Sequence, residues 1–249
     1  MPIKLCKLGK LAPRKDKRNL KLANYLPALP PIPDACDWSC GITDWGMMLN
    51  SDIGDCTCAA AAHMLMQWTA NAGVEIVPTD GSVLEAYSAI TGYDPNHPDT
   101  DRGAIILDVL NYWRQTGIAG HKIGAYASVS PKNIEHIKAS IYLFGGCYLG
   151  VALPTAWQGA RFWDIPRGGL RGQGAPGSWG GHAVEAVSFS QTGMTVITWG
   201  QPTLMTWNAA TAYMDEAYAL ISNDFLKNGK TPGGLDIITL ADDLKAVTN

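Results

Sequence analysis

Cys56 and His182 are the residues whose types and surroundings could supply a nucleophile and its base. Cys56 closes the run Asn50-Ser-Asp-Ile-Gly-Asp-Cys56, and a stretch rich in alanine and methionine follows it. Gly54 suits a turn and Asp55 suits an N-cap, so we predict a helix that begins at Cys56 and ends near Gly73. Unpaired backbone N–H groups at a helix start stabilise a thiolate, and we therefore expect a lowered pKa for Cys56.

His182 stands at the head of the alternating run Gly180-Gly181-His182-Ala-Val-Glu-Ala-Val187, which predicts a β-strand. A histidine beside a cysteine could take the thiol proton and so activate the sulfur. The alternative for Cys56 is an inert buried cysteine, which is the common fate of this residue type. Cys58 and Cys147 lie inside apolar runs and fit that alternative better.

The spacing of these motifs resembles that of the papain-like cysteine peptidases. The resemblance covers residues 33 to 222, and it is strongest to the short, divergent members of bacterial and phage genomes that have Gly-Asp-Cys at the nucleophile. Three segments carry it: the Pro33 to Trp38 stretch, the Asn50 to Ala59 motif, and Gly181-His182-Ala-Val184 followed by Thr198-Trp199-Gly200.

The resemblance implies a role for each matching residue. Cys56 is the nucleophile and His182 the general base, while Asn50 falls where the family has its oxyanion-hole glutamine. The family asparagine that orients the histidine is replaced: one count places Ile197 there, and a count forward from His182 places Thr198, whose hydroxyl could accept the imidazole proton. We assign substrate contacts to glycines and tryptophans near these motifs, namely Gly103, Gly181, Trp157 and Trp199. Core packing is an equally good interpretation of the tryptophans in the loop between Leu153 and His182.

The implied function is hydrolysis of peptide bonds through a thioester acyl-enzyme, on a peptide or protein substrate. Transfer of the acyl group to an amine would use the same residues. The rival hypothesis is a papain-fold protein without turnover that serves as a binding or structural module, for example in a phage particle, and Ile197 favours it. No cofactor is implied.

The implied fold is α+β, with a helical N-terminal subdomain, a β-rich, barrel-like antiparallel C-terminal subdomain, and the active-site cleft between them. The predicted division is a basic arm with a proline-rich connector (1–32), a helical subdomain with the nucleophile (33–125), a β-rich subdomain with the histidine (126–222) and a helical tail (223–249). We predict further helices at 82–91, 104–116 and 131–143, and strands at 147–153, 182–189, 194–199 and 217–221.

Charge is unevenly spread along the 249 residues, although the net charge is only −3. Residues 1–21 carry eight Lys or Arg and one Asp, about +7, and the rest of the chain carries about −10. We expect this arm to be a solvated extension; its own acidic body, a nucleic acid or an anionic surface are the alternatives. It is too short for the long helical inhibitory prosegment of secreted papain relatives.

Other features argue against further chemistry. The six cysteines lack the regular spacing of a disulfide scaffold or a zinc site, and no run is long and apolar enough for a membrane span or a signal peptide. We therefore expect a protein of the cytoplasm or of a virion, with no nucleic-acid or membrane partner and an oligomeric state left open. His63, a rival base on the same helix, is predicted to be a core histidine. The loop from Asp94 to Asp101 is predicted to be solvated rather than cation-binding.

Overall fold

The computed structural model describes residues 6–26, 29–226 and 230–231. In this part of the chain the fold is α+β, as predicted, with helices packed on one large, mostly antiparallel sheet. The α-helices are α1 (Leu22–Tyr25), α2 (Cys56–Ala72), α3 (Asp80–Thr91), α4 (Ile106–Gln115), α5 (Ile134–Phe144) and α6 (Trp207–Tyr213). The strands are β1 (Cys36–Asp37), β2 (Ile123–Val129), β3 (Cys147–Leu153), β4 (Phe162–Trp163), β5 (Gly180–Phe189), β6 (Gly193–Thr198), β7 (Gln201–Thr206) and β8 (Met214–Ser222). Short 3₁₀ turns lie at Pro98–Thr100, Thr155–Trp157, Gly172–Gly174 and Asn223–Phe225.

The sheet has the order β2-β8-β3-β5-β6-β7-β4, and β1 pairs with the far end of β5. It does not close into a barrel. Strands β3 and β5 run through its centre, and Val151 on β3 pairs with His182 on β5. The residue proposed as the base is therefore held on a central strand that is bonded on both sides.

Helix α2 begins at Cys56 and ends at Ala72, with Gly73 as C-cap, as predicted. Asp55 occupies the N-cap position, but its carboxylate makes no capping hydrogen bond. It is buried from Cys56 to Thr69. Alanines at 59 to 62 keep it thin, and strand β5 packs closely against it, with Ala183 in the same apolar cluster. The hydroxyl of Tyr148 on β3 donates to the carbonyl of Thr57, which ties the first turn of α2 to the sheet.

Several predicted boundaries shift. Helix α3 starts at Asp80 rather than 82 because Thr79 is the N-cap, accepting a hydrogen bond from the backbone N–H of Ser82. Helix α5 starts at Ile134 because Asn133, rather than Ser130, caps it. Helices α1 and α6 and strands β1, β2, β4 and β7 were not predicted. Most of the predicted helical tail lies outside the described residues.

Residues 6–25 of the basic arm lie on the body, so the expectation of a solvated extension is wrong. Lys10 forms a parallel bridge with Ala104, and Lys21 forms one with Ser128. Further along, Arg14 pairs with Asp108 at the start of α4, and Leu22 is buried. The acidic residues of the body supply the partners, which was one of the alternatives that the charge distribution left open.

No helix of the described residues is long and apolar enough to cross a bilayer. Within the same residues, no group of three or more His, Cys, Asp or Glu side chains is arranged to hold a metal ion. No disulfide links the six cysteines.

Candidate active site

Cys56 lies at the first position of α2 with 1% of its surface exposed. Burial raises the pKa of the thiol to about 11, and the negative charge of Asp55 adds to the rise, although the backbone groups of Ala183, Gly9 and Lys10 favour the thiolate. The expected lowering of this pKa is therefore wrong in this conformation. The helix-start argument considered only the local backbone, whereas the arm and β5 exclude water from the sulfur.

His182 is also buried, and its two ring nitrogens have different surroundings. Nε2 lies 2.9 Å from Oγ1 of Thr198, whereas Nδ1 is buried and has no hydrogen-bond partner in the described structure. Burial, assisted by the nearby imidazole of His63, lowers the pKa of His182 to about 3. The imidazole is therefore neutral at pH 7, with one nitrogen held by a hydroxyl and the other uncommitted.

Trp199 covers the imidazole, since its ring stacks on that of His182 with centroids 4.3 Å apart and an 18° angle between the planes. The backbone of Trp199 is left-handed, with φ of 47°. This conformation is unusual for a bulky residue and reflects the tight turn between β6 and β7. Ile197 is the other residue that the sequence offered at the position of the family's histidine-orienting asparagine. It is buried against Trp45 and Val187, and its apolar side chain cannot accept a proton from the His182 imidazole.

The structure brings the strand that carries His182 against the start of α2, because Ala183, the next residue, faces the Cys56 sulfur. It gives Cys56 and His182 no hydrogen bond to each other. Backbone N–H groups of the arm residues Gly9 and Lys10 face the sulfur instead.

Arm residues Leu8 to Leu11 lie in a groove between two glycine-containing segments, which we name the arm groove. On one side, the N–H of Ala104 donates to the carbonyl of Gly9 at 2.8 Å, and the N–H of Leu11 donates to the carbonyl of Ala104 at 2.9 Å. On the other side, the N–H of Lys10 donates to the carbonyl of Gly181 at 3.3 Å. Two of the predicted substrate-binding residues, Gly103 and Gly181, are thus found at the walls of this groove.

Glycines allow the close approach of the arm. A Cβ on Gly103 would lie 2.0 Å from the carbonyl oxygen of Gly9, and one on Gly181 would lie 2.3 Å from that of Lys10. A Cβ on Gly9 itself would lie 1.7 Å from the oxygen of Gly54, two residues before the nucleophile. The arm therefore fills the groove at backbone contact distance.

Asp101 connects the arm to the loop that precedes Cys56, a role that the sequence did not reveal. Its carboxylate accepts hydrogen bonds from the Lys7 ammonium at 2.6 Å, the Tyr87 hydroxyl at 2.6 Å and the N–H of Gly54 at 2.9 Å. Burial alone would raise the pKa of Asp101, but these three donors hold it below its usual value. The hydroxyl of Tyr87 also accepts from the N–H of Gly103, so one network braces the loop before Cys56 and the wall of the arm groove.

The remaining predicted site residues lie as follows. Asn50 is buried, and its side-chain amide donates to the carbonyl of Ile53 at 3.3 Å and lies beside Asp55. Its role at an oxyanion stays a prediction. Trp157 lies in the apolar core, stacked on Trp163 with centroids 4.9 Å apart, which is the packing alternative. His63 contacts the carbonyl of Gly46 through Nε2, as a core histidine does.

Two surface cavities, of about 440 and 490 Å³, lie away from Cys56 and His182. One borders β1 and the far end of β5, and the other lies between the start of α3 and the end of α4. The space beside the thiol is occupied by the arm.

Comparison with solved structures shows that the fold is that of the papain-like cysteine proteases. Xylellain, a cysteine protease from Xylella fastidiosa, superposes with a TM-score of 0.66 and 16% sequence identity, over 89% of this chain and 98% of its own. Procathepsin B from Trypanosoma congolense gives 0.60 and 11%, over 89% and 87%. A cysteine protease from Carica candamarcensis gives 0.56 and 15%, over 77% and 100%.

At the level of sequence the chain stands apart. No protein-family profile matches it, and no curated protein sequence matches it either.

Proposed function

We propose that this protein is a cysteine peptidase that hydrolyses peptide bonds through a thioester acyl-enzyme, with Cys56 as nucleophile and His182 as general base. The observation that carries the proposal is the state of the buried imidazole of His182. Thr198 occupies Nε2 and Trp199 covers the ring, while Nδ1 is left without a partner on a strand that abuts the start of α2. A nitrogen held ready in this way can take the proton of the thiol.

The proposed reaction has an acylation step and a hydrolysis step. Nδ1 takes the thiol proton as the sulfur attacks the carbonyl carbon of the substrate. The C–N bond then breaks, and the imidazolium gives its proton to the departing amine, which leaves a thioester on Cys56. Water, deprotonated by the same nitrogen, attacks the thioester and releases the acid and the thiol. The N–H of Cys56 and the amide of Asn50 are the proposed oxyanion donors.

In our proposal, the arm inhibits the peptidase. With the arm in place the pKa of Cys56 is about 11 and that of His182 about 3, so both groups are neutral at pH 7 and the reactive thiolate is scarce. The arm also fills the groove that a substrate would enter. Its displacement admits water to the site, which moves both pKa values toward their ordinary range.

The second candidate is a papain-fold binding or structural module without turnover. It is favoured by the apolar Ile197 and by the absence of an amide or carboxylate on the described partners of His182. Transfer of the acyl group to an amine uses the same residues as hydrolysis, and access of water to the thioester separates these two outcomes.

Labelling with iodoacetamide or an epoxide probe at pH 7 tests the proposal. A site-specific protease sequence placed between the exposed residues Ala12 and Pro13 allows the arm to be cut in the otherwise full-length chain. After cutting, we expect the probe to modify Cys56 selectively and the variant His182→Ala to lose this modification. The control His97→Ala, which removes an exposed imidazole, should keep it.

Hydrolysis of a peptide library by the cut chain, with Cys56→Ala as control, then identifies a peptidase. Equal, sluggish reaction of all six thiols after cutting, together with no hydrolysis, would reject the enzyme and leave the binding module.

A further inference from the structure

Lys10 of the arm is buried in a pocket built for a positive charge. Its side chain is 1% exposed, and its ammonium donates to Oδ2 of Asp215 at 2.9 Å and to the carbonyl of Leu11 at 3.2 Å. Oε1 of Glu216 lies 3.1 Å from the same nitrogen, an ion pair without hydrogen-bond geometry. Lysine is almost never fully buried unless it is paired, so these two carboxylates account for its position.

The pocket owes its depth to Gly150 on β3. A Cβ at that position would lie 2.1 Å from Cε of Lys10, 2.6 Å from Cγ of Glu216 and 2.7 Å from Oδ1 of Asp215. Any side chain at position 150 would therefore fill the space that the lysine stem occupies. We name the site formed by Gly150, Asp215 and Glu216 the acidic pocket.

Glu216 belongs to the protein body and is ready for a cation. It is 6% exposed, its Oε2 accepts from the Tyr218 hydroxyl at 3.1 Å, and its Oε1 makes no hydrogen bond in the described structure. A buried carboxylate oxygen without a donor is costly unless a charged group faces it. Burial raises the pKa of Glu216 and the Lys10 ammonium lowers it, so a cation in the acidic pocket favours the charged carboxylate.

The acidic pocket lies beside the nucleophile. The backbone N–H of Lys10, whose side chain fills the pocket, donates to the carbonyl of Gly181, the residue before His182. A peptide that replaces the arm in the groove therefore directs a side chain into the acidic pocket from the residue that bonds to Gly181.

We infer that the acidic pocket selects substrates with a basic side chain, lysine first, and that Lys10 of the arm occupies it in the manner of such a side chain. The inference rests on the proposed function in that the replacing peptide is a substrate. It assigns Asp215, Glu216 and Gly150 as residues that determine specificity.

The test measures binding without catalysis, so that it is independent of turnover. The full chain carries Cys56→Ala and the cutting sequence between residues 12 and 13, and the arm is cut. Fluorescent peptides with the sequence of residues 7–14, with lysine, arginine or norleucine at the position of Lys10, are titrated by fluorescence anisotropy. We expect the lysine peptide to bind about tenfold or more tightly than the norleucine peptide, because norleucine keeps the stem and lacks the charge.

Variants of the protein identify the pocket. In the double variant Asp215→Asn with Glu216→Gln we expect the preference for lysine to disappear. Glu135→Gln, which removes an exposed carboxylate paired with Lys138 and outside the acidic pocket, should retain the preference. If the double variant does not fold, the comparison of the three peptides on the unaltered pocket still decides.

Norleucine binding as tightly as lysine, or a lysine preference that survives in the double variant, would overturn the inference. Failure of the proposed function gives a different pattern. In that case the lysine peptide binds Cys56→Ala selectively, but the cut chain with Cys56 intact hydrolyses no peptide.

Discussion

The pKa of Cys56 depends on two opposing influences that act on the same sulfur. The position at the start of α2 and three backbone N–H groups favour the thiolate, and burial favours the thiol by a larger amount. The Cys56 thiol at the start of α2 is therefore held in its protonated form by the segments that bury it. The access of water to the sulfur, more than the helix start, therefore determines whether Cys56 is a thiol or a thiolate.

The pH dependence of alkylation gives the first prediction at this scale. Iodoacetamide reacts with the thiolate, and a raised pKa means that the proton is lost only at higher pH. In the intact chain the modification rate of Cys56 should rise through pH 9 and level off near pH 11, where the thiol titrates. After the arm is cut, the rate should level off at a lower pH.

Mass spectrometry of the peptide that contains Cys56 measures this rate, and circular dichroism at each pH shows whether the fold is kept. The same levelling pH in the intact and the cut chain would show that the arm is not the cause of the raised pKa.

The packing of the arm between its neighbouring segments requires glycines in the walls of the arm groove, where two backbones are in contact. Gly103 has φ of 76°, a left-handed conformation, and a Cβ there would lie 2.0 Å from the carbonyl oxygen of Gly9. Gly92 at the end of α3 has φ of 75°, and nothing lies within 4 Å of the position of its Cβ. The two sites differ in the contact with the arm and hardly in backbone conformation.

Gly103→Ala and Gly92→Ala thus form a matched pair for the second prediction. Both should lose about 1–2 kcal/mol of unfolding free energy from left-handed strain, measured by urea denaturation, and Gly103→Ala should lose more because it also disturbs the contacts of the arm. Only Gly103→Ala should also displace the arm, with faster alkylation of Cys56 and faster tryptic cleavage at residues 14–18. Equal alkylation rates in the two variants would mean that the arm tolerates a methyl group at the wall of the groove.

Local rules predicted the elements that depend on local sequence. Helix α2 begins and ends where Asp55 and Gly73 indicated, and the central strands lie where apolar runs are bounded by glycine. Strand β7 was missed because Pro202 and alternating polar residues conceal it. Helix α6 was missed because it is a single short segment between two strands, with no periodicity long enough to detect.

Ion pairs attach the basic arm to the acidic body of the molecule, and these pairs differ in how far their cations are exposed to solvent. Lys7 with Asp101 and Arg14 with Asp108 have exposed cations, whereas Lys10 is enclosed by Asp215 and Glu216. Exposed pairs contribute about 0–1 kcal/mol, and breaking a buried pair costs about 3–5 kcal/mol because the remaining charge is left without a partner.

Substitutions of the arm cations give the third prediction. Lys10→Met should raise the alkylation rate of Cys56 at pH 7 at least tenfold, and Arg14→Met should raise it about fivefold or less. Salt of about 0.5 M should weaken the contribution of Arg14 and leave that of Lys10 largely unchanged. Lys138→Met, which breaks a pair on α5 away from the arm, is the control. An equal increase in the alkylation rate for Lys10→Met and Arg14→Met would contradict the larger contribution of the buried Lys10 pairs.

The position of the arm could not be predicted because its partners are remote in sequence. Asp215 lies 205 residues after Lys10, and a single sequence shows only that opposite charges exist in the two regions. The same limit hid Asp101, which is one of several carboxylates in a loop until the fold places Lys7, Tyr87 and Gly54 around it. The residues of the proposed chemistry were found because their neighbours in sequence form motifs; the residues that cover them were not.

The order of the chain gives the covered thiol a consequence during biosynthesis. Residues 7–11 leave the ribosome before the segments that form either wall of the groove, at Gly103 and at Gly181. The covering segment is therefore already present when translation completes the surroundings of Cys56, and its tether keeps it at a high local concentration. A newly made molecule need not expose the Cys56 thiol to the nascent chains around it.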